Sequence, residues 1–278
     1  MPGVKKADLP GKYDPLIEKH VRSLDWMRKE LAGMDSLIDP VMGISFWDDA
    51  VIVPFGGKKL VASVDGPYAK RLVLKSALIH SATDVVVKGA RPLFALDTLT
   101  GSETDIRDMI SSLKEQALAM RIPILGGNTM VDPDSEPKCS LTVVGELIID
   151  EPIRDCGACP GDVIALVGAP IWGSREERIE KAKTLFCVWF KILDEKVNIH
   201  ASKDVTKGGL ISAVYEVCKK SGRSFELFKE IPFSLTRNLD NFLICVPDRE
   251  CGKIEKICRE SCVSFLVVGN IFENMKRQ

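Results

Sequence analysis

Apolar residues recur along the chain with two periods, and the changes of period mark out the elements. Leu16, Ile17, His20, Leu24, Met27 and Leu31 fall near helical spacing, which predicts a helix over residues 14–32. DDAVIVPFGGKKLVASVDGP then reads as a hairpin, two β-branched runs around the turn Pro54-Phe55-Gly56-Gly57. Residues 70–88 predict a helix with Leu74, Leu78, Ala82, Val85 and Val86 on one face. RPLFALDTLTG predicts a strand, and SETDIRDMISSLKEQALAM a helix capped by Ser102. IPILGG reads as a short buried strand and KCSLTVVGELIID as a longer one.

The regular patterns pause at residues 151–162, EPIRDCGACPGD, where the domain boundary is expected. That gives an N-terminal domain of residues 1–155 and a C-terminal domain of 156–278. The second half predicts strands at 163–167, 224–228, 241–246 and 263–268, with helices at 175–194, 207–220 and 248–260. Both halves mix helix and strand, an α+β or α/β pattern. No repeat or low-complexity segment stands out.

A chain of 278 residues makes one large domain or two ordinary ones and buries a sizeable core. The net charge of −1 offers no bulk attraction to nucleic acid or an anionic membrane. No uncharged apolar run approaches a membrane span; Val163 to Ser174 is among the longest. The first residues, MPGVKKADLPGKYDP, carry charge without an apolar core behind it, so no secretory signal is read and a cytoplasmic location is expected. The nine cysteines are then expected to be reduced. Cys156 and Cys159 form a CxxC with no second pair at similar spacing, so packing or free thiols is preferred to a zinc or redox role.

The candidate chemistry lies in acids and glycines. Asp48 and Asp49 open the hairpin, Asp65 closes it, and Asp84 sits inside a helix among apolar neighbours. Several carboxylates from separate elements would suit a magnesium ion shared with a nucleotide, although each Asp alone reads as a cap or a solvated residue. Gly126-Gly127-Asn128-Thr129 follows a strand, where a glycine pair lets a ligand approach the main chain. It matches neither a Walker A loop nor GxGxxG, and a tight turn is the plain alternative. In HASKDVTKGGL, Thr206 is expected to cap a helix starting near Lys207. Gly208 and Gly209 would offer main-chain N–H groups to a phosphate, with Asp204 beside them to share a metal. The competing reading is an ordinary Thr cap with glycines in a packing contact. His80 reads as a packing residue rather than a catalytic one, and for His200, before Asp204, a substrate contact is the less favoured reading. Arg71, Lys75, Lys88 and Arg91 read as solvated helix-surface cations, with an anion contact as the alternative.

Taken in order, WDDAV, ASVDGP, ATDVVVKGARP, LGGNT, GACPGD and KDVTKGGL resemble the PurM-like ATP-binding superfamily from about residue 45 to about 270. That group includes aminoimidazole ribonucleotide synthetase, selenophosphate synthetase, thiamine-phosphate kinase and HypE. The resemblance implies an α+β fold whose N-terminal domain forms a β-barrel across a homodimer, followed by a ferredoxin-like domain. It implies ATP and magnesium, with Asp48 or Asp49, Asp65, Asp84 and Asp204 as metal ligands. Gly126, Gly127, Asn128, Thr206, Gly208 and Gly209 would lie on the nucleotide. The activity implied is phosphorylation or activation of a small-molecule acceptor. Asn128 stands where the group usually has an acid or Gln, and Lys207 where kinase-type members carry a second acid. No cysteine precedes Cys139 and the chain ends ENMKRQ, so the nucleophiles of selenophosphate synthetase and HypE lack counterparts. The alternatives are a nucleotide-binding partner protein without catalysis and a thiol or zinc protein.

Overall fold

The computed structural model describes residues 4–5, 12–31, 33–45 and 47–273. Most of the charged N-terminal stretch and the last five residues of ENMKRQ therefore lie outside the described residues, as does Ala32 at the end of the first predicted helix. In chain order the elements are β1 (Val4–Lys5), α1 (Asp14–His20), α2 (Asp25–Glu30), β2 (Val51–Phe55), β3 (Lys58–Ala69), α3 (Lys70–Val73), α4 (Ala77–Val87), β4 (Ala90–Gly101), α5 (Glu103–Met120), β5 (Ile124–Val131) and β6 (Lys138–Leu147). They continue with β7 (Asp162–Val167), α6 (Arg175–Asp194), β8 (Ala201–Asp204), α7 (Gly209–Ser221), β9 (Arg223–Leu227), β10 (Phe242–Pro247), α8 (Asp248–Glu260) and β11 (Phe265–Glu273). Two compact units result. One is Asp35–Pro152 with Ile171–Lys183; the other is Met1–Met34, Ile153–Pro170 and Thr184–Gln278.

The first unit, residues 35–152 and 171–183, is built on a sheet ordered β2-β3-β6-β4-β5. Its pairings are antiparallel except β4 with β5, which run parallel. Side chains of β6 alternate between buried and half-buried, as a strand covered on one face requires. Helix α4 packs on that sheet and is buried at every residue except Asp84. The continuous helix expected over 70–88 is broken between Val73 and Ala77. Gln116 of α5 explains how the break is stable. Its fully buried amide donates to the carbonyl of Val73 at 2.8 Å and accepts from the N–H of Leu78 at 3.1 Å. Two backbone groups that the break would orphan are thereby satisfied. Ser102 caps α5 as expected, its hydroxyl accepting from the N–H of Asp105 at 3.2 Å.

Strand β5 corrects an expectation. It is longer than IPILGG and is not buried: residues 125–131 are all exposed, with Leu125, Met130 and Val131 at 68%, 53% and 59%. It lies at the end of the strand order and, among the described residues, pairs only with β4. An apolar run records that a surface favours cover, not that its own chain supplies it.

The second unit, residues 1–34, 153–170 and 184–278, carries a sheet ordered β1-β9-β11-β7-β10-β8, antiparallel throughout its described pairs. Strands β7 and β8 are buried at every residue, and β10 at every residue but Pro247. The C-terminal half of α6 covers part of this sheet. Trp189 meets Phe242 edge-on with centroids 5.1 Å apart, and Phe186 stacks on the same ring at 6.2 Å. Strand β8, Ala-Ser-Lys-Asp, was not expected. It has no apolar alternation and is held by its register with β10. No described helix is long and apolar enough to cross a membrane.

Candidate functional site

The acids of the first unit fall into distinct settings. Asp49 lies just before β2, and Asp84 projects from α4. Each offers a carboxylate oxygen within 4.8 Å of the other's. Asp49, rather than its neighbour Asp48, supplies that oxygen. The Ser63 hydroxyl on β3 donates to Asp84 Oδ2 at 2.7 Å. Lys88, one helical turn beyond Asp84, is fully buried, and its Nζ stands 3.3 Å from Asp49 Oδ2. The solvated role expected for Lys88 is therefore overturned. It forms the C-cap of α4, where the helix dipole favours a cation, and it compensates the acid beside it. Oxygen donors at this separation fit a hard cation such as magnesium.

Asp65, on β3, has different company. Its Oδ2 lies 3.4 Å from Nε2 of buried His80, and its Oδ1 accepts from the N–H of Gly66 at 3.0 Å. Tyr68 packs edge-on against His80 and shares a 2.9 Å hydrogen bond with Ser81. Burial, then the neighbouring charge of Asp65, pushes the Tyr68 phenol far above its ordinary value, so it stays neutral. His80 is thus a packed residue with a carboxylate partner.

The glycine pair of β5 opens a third setting. Gly127 is in register with Asp97 of β4, and Asn128 with Thr98. A Cβ at Gly127 would lie 2.0 Å from the Asp97 carbonyl oxygen, so only glycine lets the strands sit this close. At Gly126 a Cβ would meet nothing within 4 Å, which leaves the main chain approachable. Asp97, Gly126 and Gly127 help line a cavity of about 770 Å³ that has Lys114 and Arg121 as cations and Leu118 and Leu125 as apolar wall. Burial raises the Asp97 carboxyl above the usual range. Burial, with Asp97 adding to it, pushes the Cys139 thiol up to about 12. Sequence reasoning passed over Asp97, yet the signal was present: an Asp in the middle of an apolar strand is uncommon.

In the second unit the start of α7 departs from expectation. Thr206 does not cap it with its side chain. The N-cap is Gly208, without a side-chain cap, and the Thr206 carbonyl accepts from the N–H of Gly209 at 2.8 Å. Gly208 and Gly209 have φ of 85° and 68° and are buried. A Cβ at Gly209 would lie 2.5 Å from the backbone of Thr236, and one at Gly208 2.2 Å from Ser212 Oγ. Contacts within the unit therefore account for both glycines. Asp204 closes β8, in register with Phe242, and is 1% exposed.

Residues 47–147 match the family described as AIR synthase related protein, N-terminal domain. The chain is 36% identical over 262 residues to an uncharacterised protein of Methanocaldococcus jannaschii, covering 93% of this chain and 87% of that one. It is 29% identical to a putative hydrogenase expression/formation protein of the same organism, covering 69% and 65%. With the selenide, water dikinase of Myxococcus xanthus it shares 31% identity over 49% of this chain and 41% of that one. Among solved structures, Thermotoga maritima PurL complexed with ATP superposes with a TM-score of 0.71 at 16% identity, over 96% of this chain. HypE in complex with ATP gives 0.64 at 19%, over 82%. The chain spans 52% of that PurL chain and less than two thirds of the hydrogenase-formation protein and the Myxococcus dikinase.

Proposed function

This chain belongs to the PurM-like superfamily, and from that premise we propose that it binds ATP with magnesium and uses it to phosphorylate or activate a small-molecule acceptor. The observation that carries the proposal is the pair Asp49 and Asp84, with oxygens within 4.8 Å and the buried ammonium of Lys88 beside Asp49. These two acids would hold magnesium; Asp48, Asp65 and Asp204 remain candidate ligands. A bound cation supplies charge neutralisation for the phosphates. The residues supply position. Lys88 limits the mutual repulsion of the acids, and Ser63 orients Asp84. Gly126 leaves β5 open to a phosphate, with Gly127 and Asn128 beside it. Thr206, Gly208 and Gly209 belong to the proposed nucleotide site on the motif alone.

The exposed edge of β5 supports a homodimer in which a second copy covers Leu125, Met130 and Val131 and closes the sheet into a barrel. The order β11-β7-β10-β8 supports reading the C-terminal domain, 156–278, as ferredoxin-like beside an N-terminal ATP domain of 1–155. A cytoplasmic location belongs to the same reading.

Titration calorimetry of ATP with and without magnesium tests it. Binding is expected only with magnesium, and Asp84→Asn is expected to weaken it by about tenfold or more. Absence of binding under both conditions overturns the proposal. ATP bound but never consumed with any candidate acceptor would favour the partner-protein reading, which Asn128, a neutral residue on the exposed strand, already supports.

A further inference from the structure

A second cluster, outside the nucleotide reading, lies within the second unit. Cys159, Asp162 and His200 each present one donor atom, and the three atoms lie within 4.8 Å of one another. Asp162 starts β7, and His200 immediately precedes β8. Strand β10 lies between β7 and β8 and fixes both, and the N–H of His200 donates to the carbonyl of Cys245 on β10 at 2.9 Å.

The loop that carries Cys159 is equally constrained. The N–H of Cys159 donates to Asp162 Oδ2 at 2.7 Å, and the N–H of Asp162 donates back to the Cys159 carbonyl at 3.0 Å. Gly161 donates to the carbonyl of Ile271 at 3.0 Å, while Gly157 and Ala158 both donate to Ser221 Oγ at 3.1 Å. Backbone contacts hold the three side chains near one another before any ligand arrives, which lowers the cost of binding one.

The donor set then selects the ligand. Asp162 is 2% exposed, while Cys159 and His200 are half-buried. His200 Nδ1 lies 2.9 Å from Asp162 Oδ2, and its Nε2 lies 3.0 Å from Asn198 Nδ2. A Cys-His-Asp relay would need the second ring nitrogen directed at the thiol; here it is directed at Asn198. A thiolate, a carboxylate and an imidazole are the mixed donors that zinc takes, and the two negative charges balance a dication. We propose that Cys159, Asp162 and His200 form a binding site for a divalent transition metal of the zinc type, with a coordination position open to solvent. With Nδ1 on the metal, Nε2–H must donate, and the Asn198 amide turned to present Oδ1 provides the outer-shell acceptor.

The test uses the full chain, stripped with a chelator and kept reduced. Cobalt(II) is titrated while thiolate-to-cobalt charge-transfer absorption is followed, and zinc binding is measured by equilibrium dialysis. The carboxylate site proposed for magnesium gives no such band, so the two proposals fail separately. About one cobalt per chain with the band, displaced by zinc, is expected. Cys159→Ser should abolish the band, and His200→Gln should weaken binding by about tenfold or more. Circular dichroism of both metal-free variants controls for folding. Cys159→Ser should pass, because the backbone contacts to Asp162 remain and the serine hydroxyl can replace the thiol as donor to the Gly157 carbonyl. Absence of the band in the parent chain, or a band unchanged in both variants, overturns the proposal.

Discussion

The two glycine pairs look alike in the sequence and differ in the fold. Gly208-Gly209 begins a helix, is buried, and has no room for side chains because protein already fills the space. Gly126-Gly127 lies on an exposed edge strand. There one glycine is required by the neighbouring strand, and the other faces open space. A buried glycine pair answers to packing. An exposed glycine with nothing beside it raises the question of what approaches it. Both pairs sit in family motifs, but only the second leaves main chain accessible within its own unit.

Substitutions can break this contrast. The largest effect is expected for Gly209→Ala. Its Cβ would drive into backbone at 2.5 Å in a left-handed conformation. Overpacking costs about 1–3 kcal/mol and the conformation about 1–2 kcal/mol, so a loss of about 3 kcal/mol is expected in denaturant unfolding. A neutral result would mean that the 235–237 backbone yields easily. Gly126→Ala should cost less, about 1–2 kcal/mol from its φ of 156° alone, because no atom stands in the way. On the proposed function it should nevertheless weaken magnesium-dependent ATP binding more than Gly209→Ala does in protein that remains folded. Equal binding losses would erase the distinction.

The smallest effect sharpens the comparison from the ligand side. Asp97, in register with Gly127, has its carboxyl raised by burial. A raised acid favours the protonated folded state. Its contribution is present at low pH and is lost as pH rises from the unfolded value through the folded one. Asp97→Asn should therefore match the parent in acid and melt about 1–2 °C higher at neutral pH. No gap at neutral pH would remove the burial argument for Asp97.

Much of the fold was legible because it is encoded locally. The residues of α6 and α8 were read from their periodicity, and Ser102 from cap chemistry. What escaped has its cause elsewhere in the chain. The break after Val73 depends on Gln116, whose amide satisfies both sides of the gap. Strand β8 exists because β10 pairs with it, not because Ala-Ser-Lys-Asp favours a strand. Lys88 looked like a surface residue because its burial depends on Asp49 arriving from another element.

The sequence by itself determined most of the element types, the family and the inventory of acids and glycines, because backbone propensity, side-chain period and motif order are properties of neighbouring residues. Only the tertiary structure decided that Asp49 rather than Asp48 joins Asp84, that one glycine pair is packed and the other open, and that His200 stands beside Asp162 and Cys159. Those outcomes follow from strand register and helix packing, which set distances between residues that the chain order leaves unrelated.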